Sequence, residues 1–156
     1  MINIDGSYHE NKGEGSTGAV IRDSAGTFVA AAHSFIPHAF DAATSEAAAL
    51  RDGLLLAQLI GCTRVEIQSD SVEVVQTMIE GGFLATAAVA IFDEIAVLWK
   101  GFREISISHC NREVNIVAHE LARQAFVQHN SQVWIDDPPS FIFHHLVNDV
   151  TILVNQ

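Results

Sequence analysis

Ile2-Asn3-Ile4-Asp5-Gly6-Ser7 is the stretch from which the fold is read. Ile2 and Ile4 alternate with Asn3 and Asp5, the period of a strand whose successive side chains point to opposite faces. Gly6 and Ser7 interrupt that pattern directly after a carboxylate. A strand over residues 1–8 ending in polar chemistry is therefore expected. A second stretch repeats the arrangement: residues 64–68 alternate, and Ser69-Asp70-Ser71 turns the chain into a helix over residues 72–79, closed by Gly81-Gly82. If these two strands are neighbours, Asp5 and Asp70 lie together near the carboxyl ends of adjacent strands, where ligands of open sheets collect.

The elements between and after them follow from composition. Residues 10–17 carry two glycines among polar residues and predict a loop or hairpin connection. Residues 18–22 and 27–36 are rich in Val, Ile, Phe and small residues, with Asp23-Ser24-Ala25-Gly26 as the turn between two antiparallel strands. Thr44 or Ser45 is the expected cap of a helix that holds Glu46 early and shows Ala47, Leu50, Leu54, Ala57 and Ile60 at helical spacing, with Gly61 as its stop. A third helix over residues 86–99, a fifth strand over 103–108 with Ile105 and Ile107 on one face, and a fourth helix over 114–127 complete the pattern. After Asp137-Pro138-Pro139 a last helix places Phe143, Leu146, Val147 and Val150 on one side. Three antiparallel strands followed by helix–strand units predict an α/β domain with a mixed sheet and helices packed on it. Right-handed crossovers lay the fourth and fifth strands parallel to the first.

Size and charge narrow the function. The 156 residues suit one domain over 1–156, and 49% of them are apolar, enough to bury roughly two-thirds of the unfolded surface. The longest apolar run, residues 83–92, is about half a membrane span and meets Asp93 and Glu94 at once, so no membrane role is expected. A core strand at the very start leaves no room before it for a basic, apolar leader. The expectation is an intracellular protein, nuclear or cytoplasmic, and such a start also suits a domain excised from a longer polypeptide. Cys62 and Cys110 fall among core residues without a Cys-x-x-Cys pair and read as free thiols. Eight Lys and Arg against nineteen Asp and Glu give a net charge of −11. A broad basic face gripping phosphates is thereby excluded, and any nucleic-acid role must rest on local geometry and bound cations.

The motifs Asn3-Ile4-Asp5-Gly6-Ser7, Gly18-Ala19-Val20-Ile21-Arg22-Asp23 with Gly26, Glu46-Ala47-Ala48-Ala49-Leu50 with Gly53-Leu54, Gln68-Ser69-Asp70-Ser71, and His109 with Arg112-Glu113, Asn115 and Ala118-His119-Glu120-Leu121-Ala122 occur in this order. In them, from residue 2 to about 149, the chain resembles the ribonuclease H type 1 superfamily, most closely its plant reverse-transcriptase-like branch. The resemblance implies a ribonuclease H-like five-stranded mixed sheet of order 3-2-1-4-5 with helices on both faces. It implies hydrolysis of the RNA strand of an RNA–DNA hybrid with two Mg²⁺ ions, Mn²⁺ being a possible substitute. Asp5, Glu46 and Asp70 would be the metal ligands, Asp5 bridging, since hard cations take oxygen ligands and two close cations need anions between them.

The resemblance also marks a departure. Active members carry a fourth carboxylate in the last helix, where this chain has His119. An imidazole is a poor Mg²⁺ ligand and a better Mn²⁺ ligand, so His119 is expected to line the metal pocket and to weaken turnover. Glu120 is about 100° further round the helix and cannot take its place. By the same resemblance His109 assists proton transfer or product departure, although a strand-end histidine also serves as a simple polar cap. Ser7 and Asn115 are implied on the substrate side. Asn115 has two readings, an amide against a ribose 2′-hydroxyl or a cap of the last helix. His144, His145 and the other scattered histidines read as surface residues. The basic protrusion that holds the hybrid in some relatives would fall in residues 81–100, which contain Lys100 alone among Lys and Arg, so weak affinity for hybrid or other nucleic acid follows. Three intact carboxylates favour an enzyme. His119, the acidic balance and the missing protrusion favour a catalytically degenerate module acting as a protein- or nucleic-acid-binding regulator.

Overall fold

The computed structural model describes residues 1–81 and 87–154, with side chains to residue 148. Gly82, the starts of the apolar run 83–92 and of the helix expected over 86–99, and the side chain of Val150 lie outside the described residues. The chain runs β1 (Ile2–His9), β2 (Glu14–Arg22), β3 (Phe28–Ile36), α1 (Ala42–Leu59), β4 (Arg64–Ser69), α2 (Val72–Glu80), α3 (Val89–Trp99), β5 (Glu104–His109), a 3₁₀ turn (Arg112–Asn115), α4 (Ile116–Gln128), β6 (Gln132–Ile135), a second 3₁₀ turn (Ser140–Ile142) and α5 (Phe143–Val154). No helix among the described residues is long and apolar enough to cross a membrane.

The sheet has six strands in the order β5-β4-β1-β2-β3-β6, which corrects the expected five. β1, β2 and β3 pair antiparallel, and β4 and β5 run parallel to β1. The expected order survives inside it, and β6 is added antiparallel to β3, from Ala30 opposite Ile135 to His33 opposite Gln132. Four residues are too few for a period to be read from sequence. They become a strand because the outer edge of β3 offers unpaired backbone groups.

Both faces are covered where the alternation of β1 requires it. Ile2 and Ile4 join Ala19, Leu50, Leu54 and Ile67 in the core under α1, while Val20 and Ala31 on the opposite face pack against Val117 and Leu121 of α4. Segment 14–17, expected in a loop, belongs to β2. Its glycine, Gly15, answers to crowding instead of turning, since a Cβ there would meet Ser45 Oγ and Ser7 O, and Gly18 further along the strand is tighter still: a Cβ on it would fall on the carbonyl oxygen of Ala118 and 2.7 Å from Ala122 N. Because both atoms are helix backbone and cannot rotate away, Gly18→Ala is expected to cost about 3 kcal/mol, the upper end of overpacking penalties. A urea midpoint that does not fall would contradict this.

Helix boundaries show where local chemistry competes. α1 starts earlier than expected because Asp41, and neither Thr44 nor Ser45, is the N-cap: its Oδ1 accepts from Thr44 N at 2.7 Å and from Thr44 Oγ1 at 2.6 Å. Glu46 consequently sits beyond the first turn. Ser71 caps α2, accepting from Val74 N at 3.3 Å, and Gly81 ends it at φ 67°. The fourth helix begins as the 3₁₀ turn and becomes α-helical at Ile116. Cys62 is half-buried, Cys110 is buried, and both are free thiols.

Candidate metal centre

The β1–β4 ladder ends at the pair Ile4–Ser69, so Asp5, which stays in β1 opposite Gly18 of β2, and Asp70, the residue after β4, stand at the same level. The third acid arrives from α1. Gly6 has no side chain, so the backbone of Ser45 and Glu46 packs directly on it, and Glu46 Oε2 accepts from Gly6 N at 3.1 Å. Asp5, Glu46 and Asp70 each present an oxygen within 4.8 Å of the others, and no other such group of possible metal ligands occurs among the described residues. His119, on α4, comes to the same point through Asp5: its Nδ1 stands 3.0 Å from Asp5 Oδ2. Its side chain is 67% exposed against 7% for Asp5.

Burial and like charge act in one direction here. The Glu46 carboxyl is pushed up to about 9 by burial first, then by Asp5 and Asp70, against the pull of the Gly6 amide and of Arg112. Asp5 is raised to about 6, again by burial first and then by Asp70, with His119 opposing. Arg112 Nε lies 3.8 Å from Asp70 Oδ2, but its side chain is 94% exposed, so solvent screens that pair. Oxygen-only donors that repel one another when ionised fit a hard divalent cation, which reverses the repulsion.

The sign of the pH dependence follows. Both folded-state values lie above the ordinary carboxylate range, so the stability these groups contribute is full below about pH 4. It is lost as pH rises through about 6 for Asp5 and about 9 for Glu46. The cation-free domain should thus melt lower at pH 9 than at pH 6, and Mg²⁺ should return most stability at the alkaline end. Glu46→Gln should flatten the profile, and thermal melts in which it does not would remove Glu46 from the account.

The other expected residues are placed as follows. His109 is exposed at the end of β5, opposite Ser69 in register and therefore one residue along from the level of Asp70. Ser7 Oγ lies 2.6 Å from Ser16 Oγ, whose own proton goes to Ala122 O, so Ser7 donates inward and ties β1 to β2 and α4. Asn115 is the N-cap residue of α4, as one reading had it, but its side chain makes no cap bond, and its amide is turned into the protein. It is 1% exposed, donates Nδ2 to Ile4 O at 2.8 Å and accepts from Asn3 Nδ2 at 3.3 Å. A 2′-hydroxyl reader must face solvent, and this amide does not.

His33 corrects the assignment of the scattered histidines to the surface. It is buried between Leu121 O and Asn130 Oδ1 and against Trp134 and Phe141, and burial lowers its pKa. Two features were not read from sequence at all: Arg112 beside Asp70, and a groove of about 1110 Å³. The groove is lined among others by Arg22, Arg64, Glu66, Gln68 and Ser106, away from the three acids.

Comparison with known proteins accords with this geometry. The model of the reverse transcriptase-like family matches residues 3–125. Among solved structures, ribonuclease H1 from the archaeon Halobacterium salinarum is 26% identical, with a TM-score of 0.74 over 80% of this chain and 94% of that one. The N-terminal ribonuclease H domain of rv2228c from Mycobacterium tuberculosis is likewise 26% identical, with a TM-score of 0.74 over 81% of this chain and 94% of that one. LC11-RNase H1, solved in complex with an RNA/DNA hybrid, is 25% identical, with a TM-score of 0.74 over 82% and 96%. No curated protein matches the chain. The sheet order around β1, the motifs spread along the chain and these likenesses agree, and the chain belongs to the reverse transcriptase-like family, with the fold of the type 1 ribonucleases H.

Proposed function

We propose that this domain is a divalent-cation-dependent ribonuclease H that hydrolyses the RNA strand of RNA–DNA hybrids, with turnover held down by His119. The observation that carries the proposal is the convergence of Asp5, Glu46 and Asp70 within 4.8 Å on a scaffold shared with ribonucleases H1. A pair of bound Mg²⁺ ions, with Mn²⁺ as substitute, supplies activation of a water and stabilisation of the leaving 3′ oxygen.

What the chain contributes is the arrangement of its own groups. Asp5, the most buried of the three acids, is central, and Glu46 is held by the Gly6 amide so that one oxygen stays directed at the pocket. Asp70 closes the third side. His119 occupies the place of a fourth ligand, and its ring nitrogen is a soft donor for a hard ion. His109, exposed at the neighbouring strand end, is suited to move a proton at the leaving side. Arg112, 3.8 Å from Asp70, is suited to meet a hybrid backbone beside the pocket, and Ser7, whose hydroxyl is turned to Ser16, would reach one through its backbone alone. A net charge of −11 makes the hold on nucleic acid weak and dependent on cations.

One observation favours a second reading. His119 already bonds Asp5, which suits a domain that has drifted from catalysis to binding nucleic acid or a protein partner. Cleavage of an end-labelled RNA–DNA hybrid in Mg²⁺ and in Mn²⁺ separates the two. Cuts in the RNA strand that require the cation support the enzyme, and background cleavage in both cations supports the module.

A further inference from the structure

We propose that Asn115, Asn3 and Gln68 form an amide chain that positions Asp5, Asp70 and His119 relative to one another, an inference that rests on the metal-centre reading above. The register carries it. Asn3 precedes Asp5 by two residues on β1, and residues two apart share a face of a strand; Gln68, on β4, stands two residues before Asp70, which directly follows the last residue of that strand, Ser69. Asn115 stands four residues, one helical turn, before His119. The three amides therefore form one layer directly beneath three of the functional groups, one amide on each supporting element.

The bonds run through that layer without a gap. Asn115 Nδ2 donates to Ile4 O, the carbonyl of the peptide that leads into Asp5, at 2.8 Å. Asn3 Nδ2 donates both to Asn115 Oδ1 at 3.3 Å and to Gln68 Oε1 at 3.2 Å. Asn3 and Asn115 are 2% and 1% exposed, so neither amide has water as an alternative partner.

A single backbone carbonyl orders the whole chain. Ile4 O can only accept, so Asn115 must turn its nitrogen to it and its oxygen to Asn3. Asn3 must then present its nitrogen, and Gln68 its oxygen. Reversing a donor or acceptor at one end consequently acts on a group at the other. Glu46 stands outside the chain, held separately by Gly6 N. The effect is thus expected on the β1, β4 and α4 groups, while the Glu46 contact persists.

The test titrates the domain with Mn²⁺ alone by calorimetry and follows hybrid cleavage in parallel. Gln68→Met, at a half-buried site and of similar volume, removes the acceptor. Gln68 acts through Asn3 and Asn115, so the loss is expected at the low end of what an outer partner of a ligand costs, about tenfold in Mn²⁺ binding, with kcat lowered and KM left in place. Gln68→Glu keeps an acceptor and is expected to recover the binding that Gln68→Met loses. Asn115→Asp, which sets a carboxylate against Ile4 O, should weaken Mn²⁺ binding further, and if it does not fold the Gln68 pair carries the test. Mn²⁺ affinity in Gln68→Met equal to that of the unaltered domain overturns the amide chain alone. An unaltered domain that takes up no Mn²⁺ overturns the metal-centre reading as well.

Discussion

Asp5→Asn is expected to abolish cleavage of an RNA–DNA hybrid and, in the same protein, to cancel the stabilisation that a divalent cation brings. The reason is geometric. Asp5 stands within 4.8 Å of the other two acids and bonds His119, and an amide oxygen in its place carries no net charge to hold cations whose mutual repulsion anions must offset. A loss of about a thousandfold in kcat/KM corresponds to about 4 kcal/mol of transition-state stabilisation. Cation at a hundred times its Kd raises the stability of the native state by about 2.7 kcal/mol, which for a domain of this size moves Tm by roughly 5–10 °C. The variant should forfeit most of that gain. Its cation-free form, relieved of one buried charge next to Glu46 and Asp70, should melt no lower than the unaltered protein at pH 8. A Tm gain in Mg²⁺ equal in both proteins would place the ions elsewhere, and undiminished cleavage would remove Asp5 from the chemistry.

His119→Asp has the opposite expected sign for activity. The substitution replaces a nitrogen donor with an oxygen donor at a position already 3.0 Å from Asp5, so Mg²⁺-dependent cleavage should rise about tenfold or more, and Mn²⁺-dependent cleavage less, because Mn²⁺ tolerates nitrogen. Stability should move the other way without cation. A fourth carboxylate would face Asp5 in place of a group that now lowers the Asp5 pKa. Repulsion in the pocket therefore grows, and the Tm should fall and become more dependent on Mg²⁺. A variant that binds Mg²⁺ more tightly yet leaves hybrids uncut would favour the binding module. Equal stimulation in the two cations would show that ligand softness is not what limits the site.

How much of this could be read before the structure depends on the distance over which each feature is decided. β1 and β4 were legible because alternation of Ile with polar residues is a local property; Asp70 was legible as the acid after β4, whereas Asp5 lies within β1, which runs on to His9. Glu46 was legible within its motif, but its approach depends on Gly6 giving α1 room. Gly15 misled, since a glycine serves a turn and a close contact alike, and only the packing of Ser7 and Ser45 around it distinguishes them. Asp41 took the cap from Thr44 and Ser45 because capping is a competition among nearby oxygens that backbone angles settle.

Composition and period thus determined the element types and the mixed sheet, and the motifs that carry the resemblance implied the identity of the acids, because each depends on residues within a few positions of one another. The convergence of Asp5, Glu46 and Asp70, the pairing of His119 with Asp5, the sixth strand and the inward turn of Asn115 were decided by tertiary structure. Each joins segments far apart in the chain, and the free energy that selects them comes from burying groups that no local window contains.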